Sequence, residues 1–425
     1  TERRLDEVVT VTFGHDRHEQ LTGPGRTGVE RGTVDLDVAP RQPATGRVGH
    51  LGCQQPHAGE RYRRGVSSER INLVVLFGGQ SAEHDVSRTT ATHVLAAADP
   101  SKYRLTPIGI STDGEWALAT EALAALERGP EALPPQLDPR GQSLSPTTML
   151  GEAVDSPERT VVLPLLHGPM GEDGTVQGLL ELANVAYVGS GVLGSAVAMD
   201  KAMAKRVLTA SGVPQARYRA FAEHQITPGL AEELSAELGL PCFVKPANMG
   251  SSVGVSKAHT VHELRDAIEY ALTYDEWVVV EEAVSGREIE IAVIGNDEPF
   301  VSLPGEIVPG DEFYSYDDKY VNDASTGLIP APIGAERTAE IQAMALDVYR
   351  ALRCDGLARC DFFLEEEGPA RGFLCNEVNT MPGFTPISMF PKMLIASGMT
   401  YGEIIDRLVE LALERHQRRR RNTKH

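Results

Sequence analysis

Residues 71–79 read INLVVLFGG, and the stretch that follows, 82–98, reads AEHDVSRTTATHVLAAA. The first is a short apolar run rich in β-branched residues and stopped by paired glycines, which suits a buried parallel strand. The second has apolar residues at helical spacing. Two further runs, YRLTPIGI (103–110) and TVVLPLLHG (160–168), have strand character again. Strands alternating with helices predict an α/β fold that opens with a doubly wound parallel sheet, whose ligands bind beyond the carboxyl ends of the strands. Residues 119–156, polar and rich in Leu, Pro and Glu, read as a loose insertion in this first unit.

Working outward, DKAMAKRVLTASGVP (200–214) reads as a helix ended by Gly212 and Pro214. After it come a strand, PCFVKPA (241–247), a glycine loop, a helix, VHELRDAIEYAL (261–272), and a strand, EWVVVEEAV (276–284). A third unit opens with the alternating strand REIEIAVIG (287–295) and closes with the helix YGEIIDRLVELALERH (401–416). The expected domains are 66–189, 190–280 and 281–414. Residues 1–65 hold ten arginines, no lysine and no sustained apolar periodicity, so they read as a disordered or non-native extension, with Val66 a plausible true start. Residues 415–425, with five arginines and a lysine, read as a solvated basic tail.

Composition bounds the function. With 425 residues, 41% apolar and 24% charged, the chain has room for several globular domains. It contains no apolar run of the roughly 20 residues a membrane span needs, and no signal-peptide pattern at its start, so no membrane partner and a cytoplasmic location are expected. Cysteines at 53, 242, 354, 360 and 375 are odd in number and form no Cys-x-x-Cys pair, which argues for buried thiols in a reducing compartment. A formal charge of −20 speaks against nucleic-acid partners, and it requires any nucleotide site to carry its own lysines, amides and divalent metal.

Several motifs carry chemistry. In VKPANMGSSVGVSK (244–257), a strand delivers Lys245 and a loop of small residues, Gly250, Ser251, Ser252 and Gly254, lets backbone amides approach phosphate oxygens. A plain turn is the alternative. GLARCDFFLEEEGPARGFLCNEVN (356–379) reads as a hairpin. Pairing Glu365 with Phe373 sets Asp361 opposite Glu377 and Arg359 opposite Asn379, all four on one face. Two carboxylates and an amide oxygen are hard ligands suited to Mg²⁺, although incidental charges on a half-exposed hairpin would look the same. GGQSAEHDVS (78–87) places Glu83 just past the first strand, either as a ligand group or as a partner of the helix dipole. HGPMGEDGTVQG (167–178) places His167 in a polar loop leaving a strand, and FYSYDDKY (313–320) reads as a lid or an ordinary surface loop.

In this order, and together with GSGVLGSAVAMDK (189–201) and NEVNTMPGFTPISMF (376–390), these motifs resemble the D-alanine–D-alanine ligases of the ATP-grasp superfamily. The resemblance covers about Ile71 to Leu413. It implies a three-domain ATP-grasp architecture in which two α+β domains clamp ATP. It implies that Lys201 and Lys245 hold the α- and β-phosphates, that Glu281 with backbone groups of Ala283 and Val284 reads the adenine, and that Glu288 binds the ribose. Lys319 would reach the γ-phosphate. Asp361, Glu377 and Asn379 would bind two Mg²⁺, or Mn²⁺. Glu83 would hold the ammonium of the first D-alanine, and Ser388 with the Met389 amide the carboxylate of the second, with His167 also in the substrate site. Tyr320, Ser251 and Glu83 would form a triad linking lid to substrate, and Arg359 with the Gly383 amide would stabilise an oxyanion. The resemblance further implies a homodimer and a part in peptidoglycan synthesis. A D-alanyl-D-lactate ligase is the alternative, and Tyr320 speaks against it, since depsipeptide-forming relatives tend to carry Phe or a rebuilt lid there.

Overall fold

The first strand, β1 (Ile71–Gly78), leads through α1 (His84–Ala97) to β2 (Tyr103–Ile110) and a short β3 (Trp116–Leu118). Then follow α2 (Thr120–Arg128), β4 (Gln142–Ser143), α3 (Pro146–Asp155), β5 (Thr160–Pro164), α4 (Thr175–Leu182), β6 (Ala186–Tyr187) and α5 (Val192–Met199). The structure is a computed structural model, and it describes residues 70–155, 159–308 and 326–418. Residues 1–65, most of the basic tail, Lys319 and Tyr320 lie outside the described residues.

The strands from β1 to β6 form one sheet in the order β4-β3-β2-β1-β5-β6. It is parallel across β2, β1, β5 and β6 and antiparallel at β3 and β4. Alternate residues of β1 enter two cores, as burial on both faces demands. Leu73, Val75 and Phe77 pack with Val94 and Leu95 of α1, whereas Val74 and Leu76 pack with Leu150 of α3 and Leu180 of α4. Strand order reverses at β1, so the loops after β1 and β5 flank a switch point. Gly78 closes β1 at φ 88°, and a Cβ there would stand 2.2 Å from the Ile110 carbonyl oxygen, so only glycine fits. The region expected as a loose insertion is instead ordered over most of its length: α2, β4 and α3 extend and cover the edge of the sheet.

A second, antiparallel sheet follows. Its elements are α6 (Lys201–Ala210), β7 (Tyr218–Ala222), α7 (Leu230–Leu238), β8 (Cys242–Pro246), β9 (Ser256–Ala258), α8 (Val261–Leu272) and β10 (Trp277–Glu282), in strand order β7-β10-β8-β9. Leu234 and Leu264 of the two later helices pack with Val244, Val278 and Val280. Period-two alternation turns Lys245, Val279 and Glu281 to the opposite face, where Val279 meets Ala202 of α6. Because β10 runs through Glu282, the boundary expected at 281 falls inside this sheet.

The third sheet is built from β11 (Arg287–Gly295), β12 (Phe300–Val301), β13 (Gly305–Val308), β14 (Thr326–Leu328), β15 (Gly356–Glu365) and β16 (Gly372–Asn379), with helices α9 (Gly334–Ala351), α10 (Met389–Ala396) and α11 (Tyr401–Arg418). Its order is β14-β13-β11-β15-β16, with β12 beside β11. Ile341 and Val348 of α9 pack under Ile291, Val293 and Phe362. On the other face Ala292, Ile294 and Leu357 share one core with Phe77, Phe390 and Leu408, which joins this sheet to the first.

The solvated tail needs correction at its start. α11 continues to Arg418. Arg415 is buried, with its guanidinium 3.9 Å from the centroid of the Tyr187 ring and Nη2 donating to the Tyr187 carbonyl at 3.0 Å. Arg418 pairs with Asp355 at 2.5 Å. Cys242, Cys354, Cys360 and Cys375 are free and buried, and burial pushes the thiols of Cys354 and Cys375 up to about 12. No helix among the described residues is long and apolar enough to cross a membrane.

Candidate active site

The face of the second sheet that carries Lys245 and Glu281 becomes one wall of a cleft, and α6 supplies its end. Lys201 and Lys205 stand four residues apart, hence on one face of that helix. Lys201 Nζ donates to the Met249 carbonyl, and Lys205 Nζ lies 3.1 Å from Glu281 Oε1. Lys245 Nζ donates to Glu281 Oε2 at 3.0 Å and to Asn376 Oδ1 at 3.2 Å. Burial alone would raise the Glu281 carboxyl, but Lys205 and Lys245 outweigh it and bring the group down to about 2. Burial lowers Lys201. Lys245 is raised in spite of burial, through Glu281 and Glu377.

Between β8 and β9 the chain forms the expected glycine loop. Ser251 and Ser252 adopt φ of 50° and 59°, and Gly254 adopts 71°. These consecutive left-handed residues form a turn closed by the Val253 N–H donating to the Gly250 carbonyl at 3.0 Å, and two serines held there store strain of the kind found at functional sites. A cavity of about 240 Å³ lies over this loop, lined among others by Lys201, Lys245, Glu281, Ala283, Val284, Glu288, Arg359, Asp361 and Glu377. The Ala283 N–H is taken by the Pro241 carbonyl at 3.2 Å, and Ala283 and Val284 both line the cavity.

The third sheet closes the other side. Arg359 pairs with Asn379 and Asp361 with Glu377 across β15 and β16, as expected. The outer half of the hairpin differs: Glu365 pairs with Gly372, not Phe373, because a β-bulge beside Asp361 and Phe362 takes in one extra residue of β16. That residue is Asn376, and the bulge brings its carboxamide to Lys245. Arg359 grips Asp361 with two bonds of 2.7 Å and lies 3.4 Å from Glu290, while Asn379 donates to Asp361 at 2.9 Å. Asp361 and Glu290 hold Arg359 firmly protonated against burial. Among the described residues no three His, Cys, Asp or Glu cluster for a metal, and the set expected from the sequence, Asp361, Glu377 and Asn379, offers two carboxylates and one amide oxygen. These are hard oxygen ligands, and they fit a divalent ion that shares its shell with phosphates.

A second cavity, about 310 Å³, opens at the switch point of the first sheet and is lined by Gln80, Ser81, Glu83, Gly168, Gly250 and Ser251 among others. Glu83 occupies the N-cap position of α1 yet makes no capping bond with its side chain. Instead Glu83 Oε2 would lie 3.7 Å from a Cβ on Gly250. His167 is buried, and its Nδ1 lies 3.0 Å from the Met381 carbonyl and 3.3 Å from Glu172 Oε1, while Nε2 has no hydrogen-bond partner among the described residues. Burial would lower this imidazole, but Glu172 and Glu83 bring it up to about 9. Past Met381, Gly383 stands with its Cα side toward Ser388, whose Oγ lies 2.8 Å from Thr385 Oγ1, and Met389 opens α10. The two cavities share Met249, Gly250 and Ser251 as a common wall.

This arrangement joins the glycine loop with its lysines to a second pocket across a shared wall. The family model for the D-ala D-ala ligase N-terminus matches residues 72–190, and that for the D-ala D-ala ligase C-terminus matches 207–410. The chain belongs to the D-alanine–D-alanine ligase family. A D-alanine–D-alanine ligase of Geobacillus thermodenitrificans (strain NG80-2) is 46% identical over 358 residues, covering 82% of this chain and 97% of that relative. Among solved structures, the D-alanine–D-alanine ligase of Coxiella burnetii is 35% identical with a TM-score of 0.67, covering 82% of this chain and 96% of the other. The VanG D-Ala:D-Ser ligase of Enterococcus faecalis is 34% identical with a TM-score of 0.68, covering 81% and 100%. Within this ligase-family chain, Lys205, Asn376, Glu172 and Glu290 are site neighbours that motif reading passed over. Only Lys205 had a clear signal, its spacing of four residues from Lys201.

Proposed function

We propose that this chain ligates two D-alanine molecules at the expense of ATP, with ATP in the cavity over the glycine loop and the first D-alanine in the cavity at the switch point. The observation that carries the reading is the shared wall at Met249–Ser251, which sets the phosphate lysines on one side and Glu83 on the other. Lys201 and Lys245 hold the α- and β-phosphates, and Glu281, Ala283 and Val284 face the base. Glu281 lines the cavity as a carboxylate held between Lys205 and Lys245, which supports it as an acceptor for an adenine amino group. Glu288 takes the ribose hydroxyls. Asp361, Glu377 and Asn379 would hold two Mg²⁺, or Mn²⁺, which when bound neutralise the transferring phosphoryl group.

Glu83 fixes the first D-alanine by its ammonium, so that its carboxylate oxygen attacks the γ-phosphorus and ADP leaves. The neutral amine of the second D-alanine then attacks the acyl carbon. Ser388 and the Met389 amide, at a helix N-terminus, hold its carboxylate. Arg359 and the Gly383 amide stabilise the oxyanion, and phosphate leaves as the amide forms. Lys319 and Tyr320 belong to a segment outside the described residues. They are assigned to the γ-phosphate and to the triad with Ser251 and Glu83, on the family resemblance. A homodimer rests on that resemblance too. The cytoplasm is proposed as the compartment, because it supplies ATP and keeps thiols such as Cys354 reduced.

The test is product identification from ATP and D-alanine, with and without equimolar D-lactate or D-serine. D-alanyl-D-alanine, ADP and phosphate in equal amounts are expected in every mixture. A D-alanyl-D-lactate or D-alanyl-D-serine product that dominates would overturn the assignment of the second substrate.

A further inference from the structure

Lys205 is among the largest fully buried side chains of the described residues, and it does not line the ATP cavity. It therefore cannot touch a ligand there, yet burying an ammonium is costly unless a partner holds it. Its partner is Glu281, 3.1 Å away, and its ammonium also sits 5.3 Å from the centroid of the Tyr218 ring. Beyond these contacts Lys205 Nζ makes no hydrogen bond among the described residues. Glu281 is thus flanked by two ammonium groups, Lys245 on Oε2 and Lys205 on Oε1.

We propose that Lys205 is a positioning residue that sets base selectivity, by clamping the Glu281 carboxylate as a pure hydrogen-bond acceptor at the nucleotide base. The inference rests on the assignment of the cavity over the glycine loop to ATP. A carboxylate held between two cations has no proton to give, as its low value of about 2 also indicates. It accepts from the 6-amino group of adenine. The 6-oxo group of hypoxanthine or guanine presents a lone pair to it instead, and two acceptors facing each other in a dry pocket repel. A site built on a required hydrogen bond rejects the analogue that lacks it more strongly than an apolar pocket does. Lys245 alone would not suffice, because its ammonium is shared with Asn376 and, in the proposed site, with the phosphates.

The test compares wild type, Lys205→Met and Glu281→Gln, using ADP and IDP binding and ATP against ITP turnover on the full chain. For Lys205→Met, ADP affinity should fall about tenfold, near 1.4 kcal/mol. IDP affinity should hardly change, so the ATP:ITP preference in kcat/KM should fall by about the same factor, while kcat at saturating ATP stays within about twofold. If Glu281→Gln leaves the preference unchanged, the base is not read there and the assignment of the nucleotide site fails. If Glu281→Gln abolishes the preference and Lys205→Met does not, the lysine only supports the fold and the inference is overturned. Wild type supplies a measurement that needs no variant. Its ADP:IDP preference should be flat from pH 5.5 to 8, and a preference that decays toward pH 5.5 would overturn the clamp.

Discussion

Asn376 offers the sharpest test of how the site is assembled, because it enters the cleft only through a backbone irregularity. Its Oδ1 accepts from Lys245 Nζ at 3.2 Å, alongside the 3.0 Å bond from the same ammonium to Glu281. Asn376→Leu keeps nearly the same side-chain shape and removes this one polar contact. A hydrogen bond from a charged donor contributes about 1.5–3 kcal/mol. At 1.4 kcal/mol per factor of ten, that is a loss of about tenfold to about 150-fold in kcat/KM for ATP. The lower end is expected, since Lys245 keeps Glu281 as a partner and is not orphaned. Steady-state phosphate release with varied ATP and saturating D-alanine measures the change, and thermal unfolding checks that the fold survives. A variant that folds normally and retains kcat/KM for ATP within twofold of wild type would refute the claim that the bulge positions Lys245.

Two other perturbations probe the remaining walls. His167 is raised from 6.5 to about 9 by Glu172 and Glu83, so its protonation stabilises the fold fully below about pH 6.5 and progressively less as pH rises through 9. The stability gap between wild type and His167→Asn in urea should therefore shrink by on the order of 3 kcal/mol between pH 6 and pH 10, and a gap that stays constant across that range would place the ionisation elsewhere. For the metal-facing edge, Glu377→Gln preserves shape and removes charge, so turnover should collapse and the Mg²⁺ concentration giving half-maximal rate should rise by at least about tenfold. An unchanged Mg²⁺ dependence would move the ion away from the β15–β16 edge.

Much of this arrangement can be read from pattern alone, and the exceptions have definite causes. β2, β11 and α8 span the same residues as the sequence segments YRLTPIGI, REIEIAVIG and VHELRDAIEYAL, because period and punctuation there agree with tertiary context. Pairing by strict alternation from Glu365 and Phe373 placed Arg359, Asp361, Glu377 and Asn379 together, and these inner pairs hold because the bulge offsets the one-residue error at the turn end. The same counting failed at Glu365. A bulge adds one residue without any signature in composition, and Asn376 is as ordinary in sequence as any strand polar residue. The boundary near 281 slipped for a related reason. Glu281 and Glu282 look like the polar end of a strand, but each is held by cations, Lys205 and Lys245 for the first and Arg217 and Arg371 for the second, so the strand continues through them.

Arg415 shows the opposite failure, in which the pattern was present and residue type overrode it. In α11 the buried positions include Ile404, Leu408, Leu411 and Arg415, separated by four, three and four residues. That is the phase of an apolar helical stripe, and helical phase alone puts Arg415 on the inner face. Reading it by charge, as the first member of a basic run, puts it in water. Burial is tolerated because an arginine can satisfy both demands at once. Its planar guanidinium stacks on the Tyr187 ring at 3.9 Å, donates to the Tyr187 carbonyl at 3.0 Å and comes within 3.6 Å of Glu181. Tyr187 belongs to β6, the edge of the first sheet, so this contact fastens the end of the chain to the domain that carries Glu83 and His167.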